Sequence, residues 1–269
     1  MKRFLTGVIV GIIALLLLIV QGPLFRIAAA IVNVLAVWEM CNAFRSGGRR
    51  ISRVLPVIFS VLTLPVYKLL GFGAMVPLLG VFIALSFMCM IFTGETGLEY
   101  VANTTFAMMY PGLLITLFYP LLDIEGALYV RFVSGTCLAV AMLSDVFAFL
   151  VGKRFGKKKL CPVISPKKTV EGALGGILGA VSAVPFTDLV CRLITGDWTT
   201  SLPFVPFLLA AVFAGVVSEL GDLAASIVKR ECGIKDYSSV LPGHGGIMDR
   251  IDSILFCTIV FNILTMYIL

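Results

Sequence analysis

The sequence predicts an all-α polytopic membrane protein of about nine transmembrane helices, with its active site on the cytoplasmic side. Three observations carry this reading. Of 269 residues, 59% are hydrophobic and only 13% charged, with a mean hydropathy of +1.06; an ordinary soluble domain is nearer half apolar. Apolar stretches close to the roughly 20 residues of a bilayer-crossing helix recur along the whole chain. The basic residues gather on one side of those stretches, as the positive-inside rule requires of cytoplasmic loops.

Residues 4–20 follow the basic opening MKRF and resemble a signal peptide. No small-residue cleavage site follows promptly, and Gln21-Gly22-Pro23 reads as a tight turn, so the segment is expected to stay as the first span. Apolar runs at 24–43, 54–70, 75–92 and 105–121 complete a first group, 1–125, in which Glu39 is almost the sole intramembrane charge. It reads as scaffold. The second group, 126–269, has runs at 127–151, 172–194, 203–229 and 247–268, and it carries Asp145, Glu219 and Asp222 inside helices plus two long basic loops. It reads as the part that does chemistry.

Nine spans put the termini on opposite sides. With the N-terminus cytoplasmic, all but four of the 21 basic residues (Arg26, Lys68, Arg131 and Arg192) lie inside, and the C-terminus lies outside. The net charge of +6 is mostly this bias. Nucleic-acid binding is a poor account of it, because the bases border spans and lack interleaved aromatics. Seven scattered cysteines without a CxxC pair, and one histidine, disfavour a closed zinc site or a disulfide framework.

The densest chemistry lies between Ser226 and Asp252: Lys229, Arg230, Lys235, Asp236, His244, Asp249, Arg250 and Asp252. Charge beside lipid is expensive and marks function by default. Ser218, Asp222, Ser226 and Lys229 share one helix face, as do Asp249 and Asp252. Glycines at 243, 245 and 246 allow backbone that points N–H groups at an anion. Bases first, then a glycine turn, then carboxylates suits a phosphorylated substrate held through Mg²⁺, with a second cation left open. The bland alternative is a carboxylate–arginine network that ties helix ends together.

Three upstream features add to this. Asp145 is expected about 9 Å inside a helix ending at Val151, at 1.5 Å per residue. Ser165-Pro166 reads as a helix start, with Lys167 and Lys168 in the first turn and an anion beside them. The pairs Gly172/Gly176 and Gly175/Gly179 admit a close helix neighbour, which leaves room for a homodimer. Gly152 to Lys157 is not a Walker A loop; it is one residue short and no Ser or Thr follows the lysine.

These residues resemble the phosphatidate cytidylyltransferases (CDP-diacylglycerol synthases). The family signature is met by Ser226, Lys229, Arg230, Lys235, Asp236, Pro242, His244, Gly245, Gly246, Asp249, Arg250 and Asp252, and the segments SD…GKRFGKKKL, ISPKKTVEG and GDL also look like the family. Phe149, Glu219 and Ala225 depart from its usual Tyr, Gln and Glu. The resemblance implies transfer of a cytidylyl group from CTP to phosphatidate, with CDP-diacylglycerol and pyrophosphate as products. It implies Asp222, Asp249, Lys229 and His244 at the chemistry. Lys167, Lys168, Ser226, Arg230, Lys235, Gly245, Gly246 and Arg250 would bind substrate. Asp222 and Asp249 would hold Mg²⁺, with Asp252 and Asp145 behind them. The short chain points to a bacterial inner membrane. A CTP-dependent polyprenol kinase, or transfer to another lipid phosphate, is the nearest alternative; an ion-coupled transporter is the reading from another class.

Overall fold

The computed structural model describes residues 11, 15–94, 97–241 and 245–268. Residues 15–20 are helical. Eight helices follow: α1 (Gly22–Ser46), α2 (Val54–Leu70), α3 (Met75–Thr93), α4 (Leu98–Leu121), α5 (Ala127–Phe155), α6 (Val170–Thr195), α7 (Phe204–Glu231) and α8 (Met248–Ile268). Among the described residues seven helices are long and apolar enough to cross a membrane, and α2, with 17 residues, is a shorter apolar one. The chain is an all-α polytopic membrane protein. Most of the expected first span, 4–20, lies outside the described residues.

The chain divides into two compact units. The first takes Gly22–Tyr119 and Val228–Arg250; the second takes Leu15–Gln21, Pro120–Ile227 and Ile251–Leu269. Helices α7 and α8 therefore each contribute to both units.

In the first unit, aromatic pairs set the packing: Phe59 on Phe82 (centroids 5.6 Å) and Phe25 on Phe118 (5.5 Å). Helix α4 is broken at Tyr110, whose φ −127° and ψ 106° are not helical. Pro111 has no N–H to give, so it cannot carry on the helical hydrogen-bond ladder. Beside the break, buried Asn33 of α1 donates from Nδ2 to the Gly112 carbonyl at 3.1 Å and to Thr63 Oγ1 at 3.3 Å. The end of α7 also belongs here: Arg49 bridges Glu99 and Glu231. A Cβ on Gly47 would meet Cys232 Cα at 2.8 Å.

In the second unit, α5 and α6 lie together along most of their length. The glycines predicted to admit a neighbour admit α5 of the same chain. A Cβ on Gly175 would press on the Val151 side chain at 2.5–3.0 Å, and one on Gly179 on Phe147 Cβ at 2.8 Å. Phe132, Phe207 and Phe261 of α5, α7 and α8 stack in sequence beside this pair.

Two expectations are corrected. Helix α5 runs on to Phe155 rather than ending at Val151, so Asp145 lies about 15 Å from its end at 1.5 Å per residue. The helix predicted from Ser165-Pro166 does not start there. Lys159–Cys161 (β1) and Ser165–Thr169 (β2) form an antiparallel hairpin, and α6 begins at Val170. The residue before a proline is pushed towards extended backbone, and Thr169 is the true cap, its Oγ1 accepting from Gly172 N at 3.1 Å. Glu171, an acid in the first turn, accepts from the Lys157 amide (3.0 Å) and the Lys158 amide (3.3 Å), which ties the hairpin down.

Replacing Gly175 or Gly179 by alanine should lower stability by about 1–3 kcal/mol, the usual penalty of overpacking. The fall should be read as a lower thermal midpoint of the purified protein in detergent.

Candidate active site

Lys168 is delivered by the hairpin. Successive residues of a strand face opposite ways, so Lys167 is exposed while Lys168 turns inward. Its ammonium binds two carboxylates of α7, Asp222 at 2.7 Å and Glu219. Burial works against the lysine's charge, but Asp222 and then Glu219 outweigh it, and its pKa is raised above the ordinary value.

One ammonium does not satisfy this polar pocket. Glu219 Oε1 and the hydroxyls of Ser144 and Ser218 are buried without a hydrogen-bond partner. A Cβ on Gly176 would meet Ser144 Oγ at 3.0 Å and Glu219 Oε1 at 3.1 Å, so both line the same space. Hard oxygens around a cation, with lone pairs to spare, are the donor set a hard metal ion prefers. Among the described residues, no three His, Cys, Asp or Glu side chains are grouped closely enough to hold a metal ion by themselves. Asp252, also in this unit, is buried on α8, and its carbonyl packs against Gly221. Asp145 is exposed on α5.

The first unit holds the other half of the motif residues. Buried Asp249 accepts from Lys229 Nζ (2.8 Å) through Oδ1, and from the Tyr237 and Gly246 amides (2.9 Å each) through Oδ2. Charge-assisted bonds of this kind are about twice as strong as neutral ones. Lys229 also lies 5.6 Å from the Tyr237 ring centroid, a cation–π contact. Gly245 has φ +81°, which L side chains rarely adopt, and a Cβ there would press on Asp249 Oδ2 at 2.7 Å. Its backbone pairs with that of Leu241. Arg230, Lys235 and Arg250 are exposed, and Ser226, in the second unit, is buried. His244 lies outside the described residues.

Two acidic residues were underweighted in the sequence. Glu219, treated as a departure from the family pattern, shares the Lys168 ammonium. Glu39, assigned to scaffold, accepts from Ser238 Oγ and from the Ile247 and Met248 amides. An acid one turn before Asp222 was a visible signal for the first. Only its isolation in an apolar span marked the second.

This is an all-α membrane protein in which lysines of the motif segments pair with helix carboxylates, Lys168 with Asp222 and Lys229 with Asp249. A model of the cytidylyltransferase family matches residues 1–268, and the chain belongs to that family. It is 33% identical over 268 residues to a phosphatidate cytidylyltransferase of Bacillus subtilis, covering 95% of this chain and 93% of that one. A phosphatidate cytidylyltransferase of Staphylococcus epidermidis is 32% identical over 273 residues, 97% of each chain. One from Aquifex aeolicus is 37% identical over 164 residues, 60% of this chain and 56% of that one.

Lys168→Met leaves two adjacent carboxylates uncompensated and should destabilise the protein by about 1–3 kcal/mol, less than a fully buried pair because the Asp222 side chain is part-exposed. Because the folded-state pKa of Lys168 is raised, its contribution is complete below the ordinary lysine value of 10.5 and declines as pH rises through the folded value. Thermal midpoints of wild type and variant should therefore differ at pH 8 and draw together above pH 10.5.

Proposed function

We propose that this chain transfers the cytidylyl group of CTP to phosphatidate, giving CDP-diacylglycerol and pyrophosphate. The observation that carries the reading is that motif carboxylates are each held by a lysine of the motif segments, Asp222 by Lys168 and Asp249 by Lys229. Such pairs are poised to exchange a lysine for a metal-bound phosphate. The match along almost the whole chain to phosphatidate cytidylyltransferases supports the same reaction.

A phosphate oxygen of phosphatidate forms a bond to the α-phosphorus of CTP. The bond from that phosphorus to the α–β bridging oxygen breaks, and pyrophosphate leaves with its electron pair. A phosphate monoester has a second pKa of about 6, so its nucleophilic form already dominates near neutrality and no strong base is needed. The obstacle is repulsion between two polyanions. Catalysis is then positioning and charge neutralisation, as in phosphoryl transfer generally.

Each residue role follows from that need. Lys168 and Lys229, released from their carboxylates, neutralise phosphate oxygens. The exposed Lys167, Arg230, Lys235 and Arg250 draw CTP and the lipid phosphate from water. Ser226 and the Gly245 and Gly246 backbone bind substrate oxygens, and His244 contacts phosphate. Asp222 in the second unit and Asp249 in the first are each a ligand for Mg²⁺, with Asp252 and Asp145 of lower rank. Bound Mg²⁺ would screen charge on the reacting phosphates. The spare lone pairs of Glu219 and Ser144 fit a hard cation and leave room for a second one.

The setting is a bacterial inner membrane, with the N-terminus and catalytic loops cytoplasmic and the C-terminus outside. Cationic loops on the inner face let phosphatidate stay in its leaflet while CTP arrives from water.

Purified protein given phosphatidate, Mg²⁺ and CTP labelled at the α-phosphate should put label into lipid and release pyrophosphate; a chelator should abolish both. Label entering from the γ-phosphate instead would identify a kinase. Asp222→Asn and Asp249→Asn should each reduce turnover about 100-fold or more, the scale of losing one electrostatic contact to a transition state, while the protein stays folded. Wild-type rates in both variants would end the carboxylate assignment.

A further inference from the structure

Helix α8 begins without a cap of its own. The residues before it, Gly245, Gly246 and Ile247, have no side chain that can accept from its first amides, and helix starts leave such donors unpaired. Ser, Thr, Asp or Asn in the preceding position normally fills that role. Here the acceptor comes from about 200 residues away. Glu39 of α1, 1% exposed, accepts from the Ile247 amide through Oε1 at 3.0 Å and from the Met248 amide through Oε2 at 2.8 Å. Ser238 Oγ donates to the same Oε1, so Glu39 holds Ser238 as well as the start of α8.

Nothing in lipid-packing logic calls for a carboxylate at this point of α1. A buried charge is tolerated only when hydrogen bonds answer it, and Glu39 receives three. Negative charge at a helix start is also favourable electrostatically. The next residue after the capped amides is Asp249, which itself accepts from Gly246 N. The turn is thus suspended between two carboxylates, Glu39 on one side and Asp249 on the other. Gly246 fits only because it lacks a side chain: a Cβ there would meet Glu39 Oε1 and Cδ at 2.7 Å.

We propose that Glu39 is a positioning residue for cytidylyl transfer, capping α8 from a distant helix and so fixing the turn that orients Asp249. This rests on the reading of Asp249 as part of the reaction centre. Glutamine is a poor replacement. Its one oxygen can keep the Ser238 and Ile247 bonds, but its amide nitrogen then faces the Met248 N–H, a donor against a donor.

The test uses the full-length protein in detergent. Glu39→Gln should lower kcat about 10- to 100-fold, the range for groups that orient a ligand residue, with the KM for CTP changed less than about threefold. Hydrogen exchange in peptides covering 238–248 should accelerate, while peptides within α2 keep their protection. Gly246→Ala alone should lose activity comparably. Combined with Glu39→Ala, which removes the clash, it should add little to the loss from Glu39→Ala alone. If Glu39→Gln does not fold, that glycine–alanine cycle decides. Unchanged kcat with unchanged exchange, or fully additive losses in the cycle, overturns the proposal. Absence of α-label transfer in the wild type would instead overturn the function, and the exchange measurement would still decide whether Glu39 holds the turn.

Discussion

Neutralising carboxylates inside an apolar body is the constraint on which this structure turns. A carboxylate taken out of water without a partner is costly, and the protein meets that cost differently at each position. Lys168 answers Asp222 and Glu219 together; Lys229 and two amides answer Asp249; three donors answer Glu39. The first two solutions include a lysine ammonium. The third uses a hydroxyl and two backbone amides and no cation. A side-chain cation can swing away from its carboxylate, whereas backbone amides are fixed by the fold.

The geometry that delivers Lys168 depends on close packing elsewhere. Glycines on α6 bring α5 near enough for Val151 and Phe147 to fill the space of absent side chains. The chain leaving α5 then has only a short distance to return, and a hairpin spans it. Glu171 and Thr169 secure the hairpin at the start of α6. Strand alternation then sends one lysine of the Lys167-Lys168 pair inward and the other to the surface. A helix at this point, as Ser165-Pro166 suggested, would have placed the two lysines about 100° apart and left neither fixed by the sheet.

Much of the molecule was readable from residue order. The positions of α1 to α8 follow the apolar runs, except that α4 starts at Leu98 rather than at 105, because partition into lipid depends on composition over about one span. The motif residues were also recognisable, since their types and their spacing stand in the chain itself. Less was readable at Glu39. In the sequence it is one acid in an apolar helix, and no local pattern links it to amides about 200 residues later. The hairpin was missed for a similar reason: Ser-Pro is compatible with a helix start and with a strand, and Thr169 with Glu171 supplied the better cap.

Residue order alone therefore determined the class of fold, the placement of the spans and the identity of the charged groups, because those are set by local hydropathy and side-chain chemistry. Only the tertiary structure decided which lysine faces which carboxylate, that the α6 glycines receive α5, and that Glu39 caps α8. Those outcomes depend on which helix faces become neighbours, and that is a property of packing between distant segments.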